Sequence, residues 1–589
     1  MQINKFNIDE KNTKFKFSNC RKALKYIKNV KKDFFIILIL DFIAVISSLY
    51  FTKIIQIIID EIIPYGNYNK LYIMMLLALM LVIISIGFTK TYQRKLARMN
   101  FKIVENLKND LFIHLQYLSS SYYDTRPQGK ISIRLTDYAE KVSNLITENS
   151  VKTILNLINM AIVLIFMLYT NMEMTLIALT GIIILIIIFV LTARNKRRHQ
   201  LLVNNKDANV NAYLIESLKG MEITKAFNRQ EKNEEIFNNL SNEWKQANIE
   251  SIPVWNIGWC SVQIMSHLVT ASIYLIGILF LYPKRVTVGK IIAMGNYSTS
   301  FWKPIEELFS TSDEFINAIT YFERILEILN EPVTIKDEEY AKDVNINGKI
   351  EFRNVKFSYS DKTEILKNIS FKIHPNEKIA IVGETGSGKT TIANLITRFY
   401  DIEDGKILID DRNIKDIKLK SLRKQISVMQ QENYLFSTTI LKNLKYAINN
   451  IEDNQVISIC KKLKVHDWIM GLDNGYDTIL KNNGSNLSDG EKQIICYIRT
   501  IISNPKILIF DEATSKLDIK TEKMIQNLTK EMMKDKTIIT IAHRLSTIVN
   551  CDRIFFIKDK KIAESGTHKE LIEKKGNYYN LYMSQINYY

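Results

Sequence analysis

The residues best suited to chemistry lie at 383–390, which reads Gly-Glu-Thr-Gly-Ser-Gly-Lys-Thr. This spacing matches the phosphate-binding loop pattern G-x-x-x-x-G-K-[ST]. Glycines let backbone N–H groups close around phosphates, the lysine adds a positive charge, and the final hydroxyl can bind Mg²⁺. A glycine-rich turn that binds no ligand is the alternative for the motif taken alone.

The elements around this loop are the ones that would position it. The apolar run 378–382 predicts a buried strand, and residues 391–398 predict a helix. A strand before the loop and a helix N-terminus after it is the context that the motif requires. A second apolar strand, 506–510, ends in the acidic pair Asp511 and Glu512. The sequence therefore predicts a strand–loop–helix phosphate site, whereas an acidic pair at the end of a strand is commonplace when taken alone.

The first half of the chain carries apolar segments long enough to cross a bilayer, which needs about 20 apolar residues. The last of them is the least hydrophobic because it contains Lys290, Asn296 and Pro304, and an amphipathic core helix is its alternative. Two connections of about sixty residues are too long for simple loops, so we expect the spans to continue into the cytoplasm as helical hairpins. The six predicted spans are 34–52, 71–89, 153–170, 174–193, 255–282 and 286–308.

Composition supports a membrane protein with more than one domain. The chain has 589 residues and a net charge of +17. Most of the basic residues lie near the apolar spans, which favours cytoplasmic loops at a membrane over nucleic-acid binding. Five scattered cysteines without a C-x-x-C pair predict neither disulfides nor a cysteine metal site. We expect both termini in the cytoplasm.

From Gly348 onward the chain resembles the nucleotide-binding domain of ABC transporters, and its apolar half resembles the membrane domain of ABC exporters. The resemblance covers nearly the whole chain. It implies a multidomain fold, with an all-α six-helix transmembrane domain followed by an α/β P-loop ATPase domain. The implied boundaries are 1–30 for an N-terminal arm, 31–325 for the transmembrane domain, 326–347 for a linker and 348–589 for the nucleotide domain.

The resemblance also implies an ATP and Mg²⁺ site. Glu512 would be the general base, His543 the switch histidine that contacts the γ-phosphate, and Tyr359 the ring that stacks on adenine. Tyr359 or Gln431 taken alone would be a surface or packing residue. The implied catalytic residues are Lys389, Gln431, Glu512 and His543. The implied nucleotide ligands are Tyr359, Gly383, Glu384, Thr385, Gly386, Ser387, Gly388, Lys389, Thr390, Thr391, Gln431, Asp511, Ser488 and Gly490. The implied Mg²⁺ ligands, mostly through water, are Thr390, Gln431 and Asp511.

The signature segment departs from the family pattern, since it reads Leu-Ser-Asp-Gly-Glu at 487–491 where Leu-Ser-Gly-Gly-Gln is usual. In the family this segment opens a helix that faces the ATP held by the opposite domain. A unit charge on Asp489 about 6 Å from a phosphate charge would cost roughly 2–3 kcal/mol, unless the side chain turns away or a cation offsets it. We therefore expect a heterodimer with a second half-transporter, and a homodimer that tolerates Asp489 is the alternative.

The function implied is ATP-driven export of a small molecule, lipid or peptide across the cell membrane, with membrane lipid and a transported substrate as partners and no nucleic acid. An ATP-gated channel or a regulatory protein is the alternative. Residues 122–134 and 216–227 resemble the coupling segments of exporters. Asp41 in the first span reads either as a site for a cationic substrate or as a partner in an interhelical hydrogen bond. Trp302 reads as a membrane-interface anchor.

Overall fold

The structure, a computed structural model, describes residues 30–586 apart from 127, 283–284, 360–363, 385, 430–432, 449, 512–518 and 542–547. The chain divides into two compact units. The first holds the helices up to Gln116 and the segment Gln128–Glu331. The second holds Pro332–Tyr589 together with the short segment Tyr117–Pro127. A short segment between helices of the first unit therefore belongs to the second unit.

The described part of the first unit consists of helices and the short connections between them. Four short π-helical stretches, Ile58–Ile62, Arg134–Tyr138, Leu145–Asn149 and Gly277–Leu281, interrupt or extend the α-helices. The α-helices, with α3 lying in the second unit, are α1 (Lys31–Ile57), α2 (Tyr68–Tyr117), α3 (Ser120–Asp124), α4 (Gln128–Ile133), α5 (Ala139–Asn144), α6 (Ser150–Thr170), α7 (Met172–Lys219), α8 (Met221–Ala226), α9 (Gln230–Ile276) and α10 (Val288–Leu329).

Length and composition make five helical stretches of the described chain suitable for crossing a membrane. They contain the first three predicted spans and all but the last residue of the fourth and fifth. The sixth predicted span lies in α10, which is not among them and carries the polar residues noted above. Helix α2 has 50 residues and α7 has 48, so these helices continue well beyond the predicted spans, as expected. The five stretches are Lys31–Ile62, Tyr68–Tyr117, Gly129–Thr170, Met172–Thr192 and Gln230–Leu281.

The core of the helical unit corrects the prediction for Trp302. This indole is fully buried instead of lying at a membrane interface, and it packs in a cluster that includes Val269. A Cβ atom on Gly181 would lie 2.7 Å from Trp302 Cζ2, so the small residue leaves room for the ring. A large aromatic ring that fills an internal gap stabilises the bundle through buried area.

Asp41 has a protein partner inside the same unit. Its carboxylate accepts a hydrogen bond from Asn159 Nδ2 at 2.9 Å, and the residue is 5% exposed. Asp41 belongs to α1 and Asn159 to α6, so the interhelical hydrogen bond is the interpretation that the structure supports. A buried carboxylate in a membrane-spanning helix needs such a donor because desolvation without one is costly.

The second unit contains a four-stranded sheet in the order β2-β1-β4-β5 and a six-stranded sheet in the order β10-β9-β3-β8-β7-β6. In the larger sheet, β9, β3, β8, β7 and β6 run parallel and β10 runs antiparallel to β9. The strands are β1 (Ile350–Ser358), β2 (Glu364–Ile373), β3 (Lys378–Gly383), β4 (Asp404–Ile409), β5 (Arg412–Asn413), β6 (Ile426–Met429), β7 (Ile507–Asp511), β8 (Thr537–Ile541), β9 (Arg553–Lys558) and β10 (Lys561–Gly566).

Sequence pattern explains the two sheets. Strands β7 and β8 are almost continuously apolar and buried, as expected for central parallel strands that helices cover on both faces. Besides α3, the α-helices in the described part of this unit are α11 (Lys389–Ile396), α12 (Leu419–Gln425), α13 (Ile440–Lys445), α14 (Asp453–Lys462), α15 (His466–Met470), α16 (Asp489–Ser503), α17 (Ile519–Met532), α18 (His568–Glu573) and α19 (Asn577–Ile586). The expected order of an all-α domain followed by an α/β domain is confirmed.

Candidate nucleotide-binding site

The phosphate loop lies at the carboxyl edge of the larger sheet. Strand β3 ends at Gly383, and α11 begins at Lys389, two residues before the predicted start. Strand β7 runs parallel to β3 with only β8 between them, and it ends at Asp511. Neighbouring strands are about 4.8 Å apart, so the loop and Asp511 are separated by roughly 10 Å of sheet. Ligands of open α/β sheets bind at this edge.

Two glycines are required by the path of the loop. Gly388 has φ of 99°, which is left-handed, and a Cβ there would lie 2.7 Å from Leu366 Cδ2. At Gly383 a Cβ would lie 2.4 Å from the carbonyl oxygen of Ile557 on the neighbouring strand β9. A side chain at Gly388 would be strained and would displace Leu366 of β2, and one at Gly383 would collide with the backbone of β9. The glycines therefore hold the backbone N–H groups close to the start of α11.

Lys389 is the buried cation of the loop. It is 6% exposed, and its Nζ donates to the carbonyl oxygens of Gly383 at 2.9 Å and Glu384 at 2.8 Å. Burial lowers the pKa of Lys389, and the negative charge of Asp511 acts in the opposite direction. The ammonium group thus lies inside the loop, at the same sheet edge as a carboxylate.

The hydroxyl group of Ser387 is a second feature of the loop that suits phosphate. Its Oγ is buried and has no hydrogen-bond partner among the described residues. A buried hydroxyl without a partner costs free energy, and a phosphate oxygen would accept its proton. Gly386, which precedes Ser387, and Thr390 at the end of the motif are exposed, so a ligand can reach the loop. The donor set of this loop therefore fits an anion.

Tyr359 is placed beside the loop by helix α11. Its hydroxyl donates to Thr391 Oγ1 at 3.1 Å and accepts from Asn394 Nδ2 at 3.4 Å. The ring is 42% exposed and meets Phe357 edge-to-face at a centroid distance of 4.9 Å. One side of the ring is thus fixed by the protein while a large part of it is open to a planar ligand.

Four predicted site residues, Thr385, Gln431, Glu512 and His543, lie outside the described residues. The described strands nevertheless lead towards three of them. Strand β6 ends at Met429, β7 at Asp511 and β8 at Ile541, and these strands are parallel neighbours whose residues are paired in register. The chain therefore approaches Gln431, Glu512 and His543 from the edge at which the phosphate loop lies.

The signature segment forms the N-terminus of α16, as the sequence predicts. Ser488 is the N-cap residue, and its Oγ accepts from the Glu491 N–H at 3.3 Å. The carboxylate of Glu491 accepts from the Ser488 N–H at 2.9 Å, so the two residues form a reciprocal capping box. Glu491, which replaces the usual glutamine, therefore fulfils a structural role, and Gly490 is buried behind it.

The cation that the sequence allows for beside Asp489, but does not identify, is Lys492. The side chain of Asp489 is 77% exposed, and its Oδ1 lies 3.1 Å from Lys492 Nζ. The spacing of three residues along a helix was the available signal, since such pairs lie on one face. This cation reduces the negative charge that a phosphate opposite the helix would meet.

A feature that the sequence analysis missed joins Tyr359 to the short segment Tyr117–Pro127. Tyr400 meets Tyr359 edge-to-face at 5.0 Å, and its hydroxyl donates a short hydrogen bond to the carboxylate of Asp124 in α3. No local pattern links these positions because Asp124 and Tyr400 are 276 residues apart.

Comparisons with known proteins agree with both halves of this description. Residues 34–305 match the family model for the ABC transporter transmembrane region, and residues 366–515 match the model named ABC transporter. The chain is 32% identical to the uncharacterized ABC transporter ATP-binding protein YknV of Bacillus subtilis, over 97% of this chain and 95% of that protein. It is also 32% identical to the ATP-dependent lipid A-core flippase of Haemophilus influenzae, over 90% and 91% of the two chains.

Two further similarities extend this agreement. The putative multidrug export ATP-binding/permease protein YgaD of Bacillus subtilis is 29% identical over 96% of this chain and 99% of that protein. A solved structure of a bacterial Atm1-family ABC exporter with ATP bound superposes with a TM-score of 0.80, covering 97% of this chain and 99% of that one. Its sequence identity is 24%, so this likeness bears on the fold.

Proposed function

This chain belongs to the ABC transporter family, as an exporter-type half-transporter with membrane and nucleotide domains in one polypeptide, and from this premise we infer how its residues drive export. ABC exporters of this kind lie in the membrane, place the ATP-binding domain in the cytoplasm and couple ATP hydrolysis to transport as dimers. The open questions are the residues that act, the cargo and the composition of the dimer.

Lys389 and the N–H groups of loop 383–390 bind the phosphates in this proposal, and the ring of Tyr359 stacks on the adenine. Thr390, Gln431 and Asp511 hold Mg²⁺, mostly through water, because hydroxyl, amide and carboxylate oxygens are the ligands this ion prefers. Glu512 orients and deprotonates the attacking water, and His543 contacts the γ-phosphate. The observation that carries the proposal is the buried Lys389 at the sheet edge where Asp511 ends β7.

Transport follows from a shift between two conformations. ATP bound between the two nucleotide domains of the dimer favours an outward-open state, and hydrolysis removes that preference. The cargo we propose is an amphiphilic lipid or a drug-like amphiphile. Two relatives support this class by their names, a lipid A-core flippase and a putative multidrug exporter. An exported peptide is the remaining candidate.

Transport in inside-out vesicles tests this function. A fluorescent short-chain phospholipid or a cationic dye should accumulate in the vesicle lumen against its gradient when MgATP is added. The accumulation should stop when ATP is replaced by a non-hydrolysable analogue, because each cycle needs hydrolysis to reset the transporter. An ATP-gated channel would open when ATP binds and would let a preformed gradient of the dye or lipid dissipate. That result would contradict the proposal.

We propose that the dimer contains a second, different half-transporter. The argument is the charge and volume of Asp489, which would face the ATP of the partner domain. The salt bridge with Lys492 makes the electrostatic part of this argument smaller than the sequence alone indicates. The steric part of the argument is unchanged, because a side chain and its paired lysine occupy the place where the family usually has a bare glycine.

ATP hydrolysis by the purified chain alone distinguishes the two assemblies. We expect low activity, a rise of about tenfold in Asp489→Gly, and a further fall in Lys492→Met because the carboxylate then lacks its cation. The exposed Asp473 gives a matched control, since Asp473→Asn should leave hydrolysis unchanged. High activity of the unmodified homodimer, together with no gain from Asp489→Gly, would remove the reason for a second chain.

A further inference from the structure

Three aromatic rings form a compact group beside the phosphate loop. Tyr359 and Tyr400 meet at a centroid distance of 5.0 Å with an angle of 88° between the rings. Phe357 contacts both, at 4.9 Å from Tyr359 and 5.8 Å from Tyr400. Edge-to-face contacts of this kind fix the relative orientation of the rings. The ring that we assign to adenine therefore has two aromatic neighbours and one open side.

Helix α11 connects this group to the phosphate loop. The helix begins at Lys389, and two of its residues, Thr391 and Asn394, are the hydrogen-bond partners of the Tyr359 hydroxyl. The chain that follows the helix is held firmly: Arg398 is almost fully buried, and its Nε lies 3.1 Å from Asp401 Oδ1. Tyr400 lies between these two paired residues in the chain, which links its position to the end of the helix.

The hydroxyl group of Tyr400 is bound by the segment Tyr117–Pro127, which belongs to the same unit. It donates to the carboxylate of Asp124, the last residue of α3. Burial and the negative charge of Asp124 both raise the pKa of Tyr400, so the hydroxyl keeps its proton at neutral pH and remains a donor. Asp124 belongs to the segment Tyr117–Pro127, which groups with the nucleotide domain although α2 and α4 on either side belong largely to the helical unit.

We propose that Tyr400 is a positioning residue for Tyr359, and that Asp124 sets the orientation of Tyr400. The adenine-binding ring is then supported only while the segment Tyr117–Pro127 holds Asp124 against the nucleotide domain. Affinity for the adenine base, as distinct from the triphosphate, depends in this way on a residue that lies between membrane-spanning helices in the sequence. The inference rests on the proposed role of Tyr359 in ATP binding.

The prediction concerns the ATP KM of the full-length protein in lipid nanodiscs. Tyr400→Phe and Asp124→Asn should each raise the KM for ATP by about two- to tenfold, the range that one aromatic contact can contribute, with kcat little changed. Inorganic triphosphate, which lacks the base, should inhibit the variants and the unmodified protein equally. A purely structural role for Tyr400 would instead lower kcat and the thermal unfolding temperature together.

Double variants test whether Tyr400 acts through Tyr359. In a Tyr359→Ala background, Tyr400→Phe should no longer change the KM for ATP. With Tyr359 intact, the double variant Asp124→Asn/Tyr400→Phe should raise the KM no more than either single substitution. Tyr340→Phe and Asp473→Asn are matched controls at exposed positions and should behave as the unmodified protein. An unchanged KM in both single variants, or full additivity with Tyr359→Ala, would overturn the inference.

The proposed function and this inference fail in different experiments. If Lys389→Ala abolishes hydrolysis while Tyr400→Phe and Asp124→Asn leave the KM unchanged, the ATP site stands and the positioning role is wrong. If Lys389→Ala keeps full hydrolysis, the assignment of the ATP site itself is wrong, and Tyr400 has no adenine-binding ring to position.

Discussion

Lys389→Ala should lower ATP hydrolysis by about 10²–10³-fold, the usual effect of removing one preorganised charge from a transition state. The side chain is almost fully buried, and its Nζ is already held inside the loop by the carbonyl oxygens of Gly383 and Glu384. A cation from the surface would have to lose its hydration to take that position, which is costly. Release of inorganic phosphate by the protein in nanodiscs, measured over a range of ATP concentrations, would report both kcat and KM.

A second buried lysine serves as the control for this experiment. Lys536 is 8% exposed and immediately precedes β8, at the amino edge of the sheet, so it lies at the opposite edge from the phosphate loop. Lys536→Ala also removes a buried ammonium group but should keep ATP hydrolysis near the level of the unmodified protein. If the two substitutions reduce hydrolysis equally, the loss reflects general destabilisation, and the assignment of Lys389 to the phosphates would be wrong.

The parts of the site that could be predicted from sequence are those fixed by neighbours in the chain. The glycines of loop 383–390 are dictated by backbone angles and by close approach to the sheet, so their spacing is visible as a motif. The signature helix begins at the predicted place for a similar reason, because Ser488 and Glu491 cap it within one turn. Long apolar runs likewise predicted the first five spans, since length and composition alone decide that a helix can cross a membrane.

Contacts between distant segments could not be predicted in this way. The pairing of Asp124 with Tyr400 depends on how the segment Tyr117–Pro127 meets the nucleotide domain, and no local pattern carries that information. Trp302 shows the same difficulty: an indole in an apolar helix can face lipid headgroups or a gap, and the small Gly181 that creates the gap lies on another helix. The cation beside Asp489 is a further case, because side-chain orientation on α16 decides that Lys492 lies next to the carboxylate.

Glu512→Gln should separate ATP binding from ATP hydrolysis. Glutamine keeps the size and most hydrogen bonds of glutamate but cannot accept a proton, so hydrolysis should fall by about 10²–10⁴-fold, the contribution of one general base. ATP affinity should stay within a few-fold of the unmodified value, since Lys389 and the loop N–H groups are untouched. Glu512 follows directly on Asp511 at the end of β7, at the edge where the phosphate loop lies.

Trapping in the ATP-bound state gives this variant a second, stronger readout. If ATP favours the outward-open conformation and only hydrolysis reverses it, Glu512→Gln in MgATP should accumulate that conformation and stop transport after one cycle. Glu522→Gln, at an exposed position of α17, loses the same charge and should transport normally. Vesicles that carry Glu512→Gln and still take up the fluorescent lipid at the unmodified rate would show that hydrolysis at this site does not drive export, because a transporter that cannot reset its conformation cannot turn over.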